Sequence, residues 1–502
     1  MSHYKPDPGK NVNLSIDGIP VTVPEGTTIL AAARKVNVQI PTLCDHPDLR
    51  RRAVCRLCVV ECDGRGKLVA ACANDVWEGV SVVTNNPRIV GIRKTIMELM
   101  LANHPQDCLG CVKNTKCELQ SLAERLGIRA SPFHRVAMKH ETCQEIHTRQ
   151  EIHTLRTAGR RREIAGGTLV RDMDKCVKCG RCVEACMEIH TVRAINVSHR
   201  SVNYEISTPY EQALEDGPCI FCGHCAAVCP VGAICAHDQT AEVWAALNKG
   251  ERVAAQLAPS TAAAISAEFN FPPETITVGK LITALKLMGF SHVHDINFYT
   301  DMIIREQISE LTVRKKNSIK LPMISCCSQS CVKFVKVFYP DLVNRLYTGK
   351  SLHQTFTAME KEKNPGDVGV SKIIHVSISP CIAAKFEIRQ SEEGGSENAG
   401  FALTAGELAG MIRTAGIELK NLAESPFDSF GGAFTGKIDE PDILTVNGLA
   451  NARIIMDSIQ EGECDAALVR IMCCDVCSVD PGRKADDCRA KNDGSSQPGI
   501  KA

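Results

Sequence analysis

Apolar and polar residues alternate between positions 11 and 24, with Val12, Leu14 and Ile16 before an Asp17-Gly18 turn and Val21 and Val23 after it. That two-residue period predicts a β-hairpin. Thr28 to Lys35 shifts to helical spacing, and a cysteine-bearing loop follows. Hairpin, helix and loop together suit a small β-grasp unit. Between 86 and 125, Ile92, Ile96, Leu99 and Met100 recur at helical spacing, and the stretch reads as helix. Residues 136–168 are polar, basic and histidine-rich, with Glu-Ile-His-Thr at 145–148 and again at 151–154, and read as an irregular connection. From about 250, strands alternate with helices: strands at Val253–Leu257, His292–Ile296 and Ile373–Ile378, and a helix at Val278–Met288. This is α/β organisation. The tail from 489 is polar and expected to be disordered.

Composition narrows the chemistry. The 502 residues, 44% of them hydrophobic, are enough for roughly three or four domains with sizeable cores. The 58 basic and 58 acidic side chains cancel, so the positive footprint of a nucleic-acid binder is missing. No apolar run approaches the ~18–20 residues of a membrane span. The opening MSHYKPDPGK has no apolar signal core and no twin-arginine motif, so a cytoplasmic location is expected. In that compartment thiols stay reduced, which turns the 27 cysteines from a disulfide framework into metal ligands. Eighteen of them fall between Cys44 and Cys235, and nine lie between Cys326 and Cys488.

Their spacings define four sets. Cys44, Cys55, Cys58 and Cys72 follow C-x10-C-x2-C-x13-C, three sulfurs on one long loop and a fourth further on, which suits a [2Fe–2S] rhomb. Cys62 is left out. His104, Cys108, Cys111 and Cys117 follow H-x3-C-x2-C-x5-C. A single histidine is more often a surface or core residue, but this one precedes three cysteines that lack a fourth sulfur nearby. It completes a [4Fe–4S] set, and a neutral imidazole in place of a thiolate makes that cluster less negative. The runs at Cys176, Cys179, Cys182, Cys186 and at Cys219, Cys222, Cys225, Cys229 are both C-x2-C-x2-C-x3-C, the second followed by Pro230. In two-cluster ferredoxins the fourth cysteine of each run ligates the other cluster. One [4Fe–4S] therefore takes Cys176, Cys179, Cys182 and Cys229, and the other takes Cys219, Cys222, Cys225 and Cys186. Zinc is the competing metal for the thiol sets, and the β-grasp context and the paired runs weigh against it.

The order of these sets resembles the N-terminal half of [FeFe]-hydrogenases and, in part, the large iron–sulfur subunit of NADH dehydrogenase. The C-terminal half is similar to the hydrogenase catalytic domain. The likeness is carried by Val253-Ala-Ala-Gln-Leu-Ala-Pro259, Gly279-Lys-Leu-Ile-Thr-Ala-Leu285, Ser325-Cys-Cys327 and Pro380-Cys-Ile-Ala-Ala-Lys-Phe-Glu387. Phe430-Gly-Gly-Ala-Phe-Thr-Gly436 and Val446-Asn-Gly-Leu-Ala-Asn-Ala-Arg453 add to it. The implied fold class is α+β multidomain. It comprises a [2Fe–2S] β-grasp ferredoxin domain (1–85), a histidine-ligated [4Fe–4S] domain (86–135) and a linker or insertion (136–170). A two-[4Fe–4S] ferredoxin domain (171–242), an α/β hydrogenase-like domain (250–488) and the tail (489–502) follow.

In that family the H-cluster is a [4Fe–4S] cubane joined through one cysteine to a two-iron centre bearing carbonyl and cyanide. By motif, the cubane ligands fall on Cys327, Cys381, either Cys473 or Cys474, and Cys477, and the proton-passing cysteine on Cys326. Several departures surround the two-iron subsite. Ala384 stands where a lysine should hold a cyanide ligand, and Lys385 is the family's second lysine. In Glu306-Gln-Ile-Ser-Glu310, Glu310 is retained, but Gln307 takes the inner place of the proton path, where an amide does not titrate. Ser379 replaces a methionine, Ser328-Gln-Ser-Cys331 replaces Pro-Gly-Trp, and Met472-Cys-Cys-Asp-Val-Cys477 lacks its glycines. The expectation is a domain that keeps its fold and one [4Fe–4S] cluster without a complete H-cluster and without catalytic residues. Cys326, Cys331 and Cys473 or Cys474 then either hold a further cluster or remain as buried free thiols.

No flavin or nicotinamide site is visible, since Gly431-Gly432 lacks the strand–turn–helix context of a dinucleotide fingerprint. The resemblance implies an electron-transfer subunit of an electron-bifurcating NAD(P)/ferredoxin-linked oxidoreductase. Its partners would be an FMN/NAD(P)-binding iron–sulfur subunit, a small [2Fe–2S] subunit, ferredoxin and a separate catalytic module. A [NiFe]-hydrogenase is favoured for that module, with formate dehydrogenase and tungsten aldehyde oxidoreductase as alternatives. Two other readings stay open: an active or sensory [FeFe]-hydrogenase with an atypical pocket, and a scaffold whose C-terminal domain is metal-free.

Overall fold

The computed structural model describes residues 9–63, 67–133, 162–317, 319–363, 373–393, 400–428 and 443–473. The hairpin forms where alternation places it. β1 (Asn11–Ile16) pairs antiparallel with β2 (Ile19–Pro24), burying Val12, Leu14, Ile16 and Val23 on one face. α1 (Ile29–Lys35) starts at Thr28, whose hydroxyl accepts the N–H of Ala31 and caps the first turn. β3 (Val59–Cys62), β4 (Lys67–Ala70) and β5 (Ser81–Val83) complete a sheet ordered β2-β1-β5-β3-β4, with β1 and β5 parallel.

The single helix expected across 86–125 is broken in two. α2 (Pro87–Asn103) is capped by Asn86 and ends at His104, which is extended at φ −101° and ψ 132°. Pro105 explains the stop, because a residue before proline is pushed out of the helical region. A cysteine loop with one short 3₁₀ turn at Cys108–Gly110 leads into α3 (Glu118–Arg125).

The two-cluster unit begins earlier than position 171. β6 (Arg162–Ala165) and β7 (Leu169–Asp172) form a hairpin, and β7 also pairs with a later strand, so the unit reaches back to 162. The rest of the expected connection and the tail at 489–502 lie outside the described residues. α4 (Arg181–Glu184), β8 (Asn196–Ser198), β9 (Glu205–Ser207), α5 (His224–Ala227) and β10 (Ile234–Ala236) follow, and β10-β7-β6 is the resulting sheet.

The C-terminal part opens with α6 (Thr240–Asn248), β11 (Val253–Leu257), α7 (Thr261–Glu268) and α8 (Val278–Leu287). β12 (His292–Asp295) stops one residue short of its expected end, because the Asp295 carboxylate caps α9 (Ile296–Lys316) through Asn297 N–H. β13 (Met323–Cys326), α10 (Gln329–Phe338), α11 (Leu352–Lys363), β14 (Ile374–Ile378) and α12 (Ala383–Glu393) come next. β15 (Gly400–Leu403), α13 (Ala405–Thr414), β16 (Ile443–Asn447), α14 (Leu449–Glu461) and β17 (Leu468–Met472) are the last elements among the described residues. The strands make two parallel sheets, β12-β11-β14-β15 and β13-β17-β16. β11 and β14 are buried along their whole length, as parallel strands covered on both faces must be.

The cores cut across this division. The larger sheet has its own core around Val253, Leu281, Val376 and Leu408. The smaller sheet shares a core with the cysteine-rich units, running from Leu57, Met97 and Leu119 through Ile220 and Phe221 to Phe334 and Ile471.

Behind the larger sheet, His353 on α11 is 5% exposed beside His375 on β14. Burial first, and the neighbouring His375 second, hold the His353 imidazole down at about 3. Its unfolded value lies near ~6.5, so the neutral ring contributes stability fully above that pH and loses it as pH falls toward the folded value. We expect His353→Gln to flatten the loss of thermal midpoint between pH 7 and pH 5, followed by circular dichroism.

Candidate iron–sulfur centres

The first sulfur set closes around the end of the β-grasp sheet. Cys44 comes from the loop after α1, Cys55 and Cys58 from the loop before β3, and Cys72 from just beyond β4. Cys58 Sγ lies 3.4 Å from Cys72 Sγ, and the Cys44 thiol is in hydrogen-bonding contact with those of Cys55 and Cys72. All four are buried, and contact with Cys72 pulls Cys58 down to about 7. Cys62, on β3, is buried in the same apolar cluster as Cys58 and Cys72, and burial raises its thiol.

The second set gathers at the break between α2 and α3. His104 is the C-cap of α2 and Cys117 the N-cap of α3. The His104 ring hydrogen-bonds the Lys175 backbone, while its Nδ1 is buried with no protein partner, as a metal-ligating nitrogen requires. Cys117 feels the charges of Cys108 and Cys111, and Cys108 is exposed. The loop rests on the next unit, since a Cβ on Gly232 would meet Cys111 Sγ at 2.8 Å.

The paired runs form two pockets, each drawing its fourth thiol from the other run. Cys176, Cys179, Cys182 and Cys229 line a space of about 330 Å³, with Met173, Ile206 and Val231. Cys219, Cys222, Cys225 and Cys186 line one of about 430 Å³, with Leu169, Ile195 and Ile220. The loops repeat each other in detail. Lys178 (φ 58°) and Phe221 (φ 57°) take the left-handed conformation, and each turns its N–H onto the preceding thiol, Cys176 or Cys219, at 3.4 Å. Gly180 (φ 78°) and Gly223 (φ 79°) then start α4 and α5; a Cβ there would also strike Arg52 or Ile382 at 2.6 Å. Burial lifts Cys176 to about 11, and Cys179 and Cys219 to about 12, so the pockets hold protonated thiols until a cation compensates.

Side chains that no motif marks join these centres. Arg181, 5% exposed, makes a two-pronged contact with Glu118 at 2.6 and 2.8 Å and donates to the Asp45 carbonyl, so three cysteine-bearing segments meet on one guanidinium. Phe221 packs against Phe386 with ring centroids 4.7 Å apart and planes tilted by 35°, and Lys333 Nζ lies 4.4 Å above the Phe221 ring. His190 and His224 are paired beside the second pocket.

The C-terminal thiols collect at the ends of β13 and β17. These strands are parallel, with Cys326 opposite Ile471, and Cys327 N–H donates to the Ile471 carbonyl at 3.0 Å. Cys473 N–H donates to Cys327 Sγ at 3.3 Å, and Ser328 Oγ lies 3.8 Å from the sulfurs of both residues. Cys381, two residues before α12, acts on Cys327 by charge. The structure therefore brings Cys327 and Cys473 together, with Cys381 near enough to act on Cys327 by charge; Cys474 and Cys477 lie outside the described residues. It adds Cys326 and Cys331, whose thiols touch each other.

Comparison with known proteins follows the same division. Residues 9–87 match a 2Fe-2S iron-sulfur cluster binding domain, and 93–132 match the NADH-ubiquinone oxidoreductase-G iron-sulfur binding region. Residues 175–233 match a 4Fe-4S dicluster domain, and 251–440 the C-terminal domain of the iron only hydrogenase large subunit. The NADP-reducing hydrogenase subunit HndD of Solidesulfovibrio fructosivorans is 36% identical over 441 residues, covering 85% of this chain and 72% of that protein. The chain belongs to the iron-only hydrogenase large-subunit family. Iron hydrogenase 1 of Clostridium pasteurianum, a second relative, is 31% identical over 84% of this chain and 71% of its own length. An NADH-quinone oxidoreductase subunit of Rickettsia bellii (strain RML369-C) is 31% identical over 44% of this chain and 29% of that protein.

Within this hydrogenase-family domain, several polar side chains of the motif segments are bound by protein partners. The Lys385 amine is fully buried, forms an ion pair with Glu407 at 3.1 Å and donates to the Ala402 carbonyl at 2.5 Å. Ala384, beside it, offers no charge. Gln307 is buried on α9, and Glu310 is bound to Arg314 Nε at 2.8 Å. Ser379 Oγ accepts the N–H of Cys381 at 3.3 Å. Among the described residues, no helix is long and apolar enough to cross a membrane. We expect Lys385→Met to destabilise the fold by the ~3–5 kcal/mol of a broken buried pair, read as a lower thermal midpoint. The iron content and visible spectrum should stay unchanged.

Proposed function

We propose that this chain is the iron–sulfur relay of a multi-subunit, electron-bifurcating NAD(P)/ferredoxin-linked oxidoreductase and does not itself turn over hydrogen. In this reading the four sets assigned by sequence hold one [2Fe–2S] and three [4Fe–4S] clusters, and the C-terminal pocket holds a fourth [4Fe–4S]. Its partners are a flavin- and NAD(P)-binding subunit, a small [2Fe–2S] subunit, ferredoxin and a catalytic module, for which a [NiFe]-hydrogenase is favoured. The setting is the cytoplasm. Support comes from the relatives, which include an NADP-reducing hydrogenase subunit and a subunit of NADH-quinone oxidoreductase.

One observation carries the non-catalytic part. The lysine of the Cys381 segment is spent on Glu407 and Ala402, so no ammonium is left there to hold an anionic two-iron ligand. The same pocket is crowded with sulfur instead. What remains is a path for electrons: the Cys219–Cys225 loop packs on Ile382 and Phe386, next to Cys381.

Infrared spectroscopy of the purified complex tests this directly. We expect no carbonyl or cyanide stretching bands and no hydrogen evolution by the isolated chain after H-cluster maturation; bands at full stoichiometry would falsify the proposal. His104→Cys should keep its cluster and move that centre's midpoint potential to more negative values, because an anion replaces a neutral ligand. Redox titration followed by electron paramagnetic resonance reads the shift.

A further inference from the structure

Cys331 has no counterpart in the hydrogenase motifs and sits where a ligand would. It lies in the first turn of α10, is 0% exposed, and touches the thiols of Cys326 and Cys473. Its sulfur is 3.9 Å from the Ile471 carbonyl, at the same end of β17 that delivers Cys473. Cys473 is the hub of the pocket, meeting Cys327 on one side and Cys331 on the other. Cys381, in the loop before α12, is near enough to act on Cys327 by charge, and α12 packs against α10. Cys326 meets the group through Cys331.

We propose that Cys331 is a ligand of the C-terminal iron–sulfur cluster and completes a four-thiolate set with Cys327, Cys381 and Cys473, leaving Cys477 outside it. This deepens, and rests on, the reading that the C-terminal domain holds a cluster. Three physical points favour it. The four thiols come from four separate elements that the fold gathers at the ends of β13 and β17. The N-terminal end of α10, ten residues long, places the positive end of a helix dipole on the Cys331 side of an anionic cluster. A soft, fully buried sulfur among other sulfurs also suits iron far better than solvent. Cluster binding exchanges each S–H for an Fe–S bond and releases one proton per ligand, with no change in sulfur oxidation state.

The test uses the full chain, purified without oxygen, and compares Cys331→Ala, Cys331→Ser, Cys326→Ala and Cys477→Ala. Unsubstituted protein should carry about eighteen iron atoms, against about fourteen if the C-terminal domain is empty. Cys331→Ala should lose about four of them and one cubane resonance, while the N-terminal signals persist and report an intact fold. Cys331→Ser, nearly isosteric, should keep the packing and either lose that cluster or shift its g-values through oxygen ligation. Cys326→Ala and Cys477→Ala should keep iron and spectrum. An eighteen-iron protein whose Cys331 variants are unchanged, or whose Cys477→Ala loses the cluster, would overturn the ligand assignment alone. About fourteen iron atoms in the unsubstituted chain would overturn the underlying reading as well. A Cys331 disulfide, found by mass spectrometry of the unreduced chain, would also overturn the assignment.

Discussion

Sulfur packed against sulfur is the contact on which this structure depends. In the cysteine-rich units thiols occupy places that hydrocarbon usually fills: Cys44, Cys55, Cys117, Cys179, Cys182, Cys219 and Cys229 share one core with Leu43, Leu57, Val183 and Phe221. Burial drives their pKa values upward, to about 12 for Cys179 and Cys219, so deprotonating a whole quartet without a cation is prohibitive. Units of this size bury little apolar surface per residue. Metal binding and folding are then two views of one equilibrium, since ligands are gathered and deprotonated together.

The same economy shapes the junctions. Arg181 bridges Glu118 and the Asp45 carbonyl, and Arg52 pairs with Glu184 at 2.9 Å while crossing Gly180. Each contact ties a loop carrying one sulfur set to a loop carrying the next. At the far end Phe221 and Phe386 pack with tilted rings, and Lys333 lies over both, between the second pocket of the paired runs and the Cys381 loop.

The C-terminal domain builds two parallel sheets and binds several of its polar groups internally. Lys385 binds Glu407, Glu310 binds Arg314, and Ser379 supports the Cys381 backbone. A fold set by sheet order and apolar burial tolerates changes in the polar groups around a pocket, because the two draw on different residues. Under the function proposed above, that separation is what would let such a domain serve as a relay.

Much of this was written in local pattern. Alternation specified the hairpin Asn11–Pro24, and identical spacings specified two identical loops, down to the left-handed Lys178 and Phe221. Short-range order is legible because backbone dihedrals and ligand spacing are local properties. The break at His104 was also there to read, in Pro105, but helical periodicity on both sides masked it. What no pattern disclosed was which segments meet. Cys331 and Cys473 are far apart in the chain and touch only because β13 and β17 are parallel neighbours under α10. Nor did any pattern show that Lys385 is paired with Glu407. The sequence by itself determined the donor types, their grouping and the family. Only the tertiary structure decided which donors share a pocket and which are neutralised, because proximity across long loops is set by packing and not by spacing.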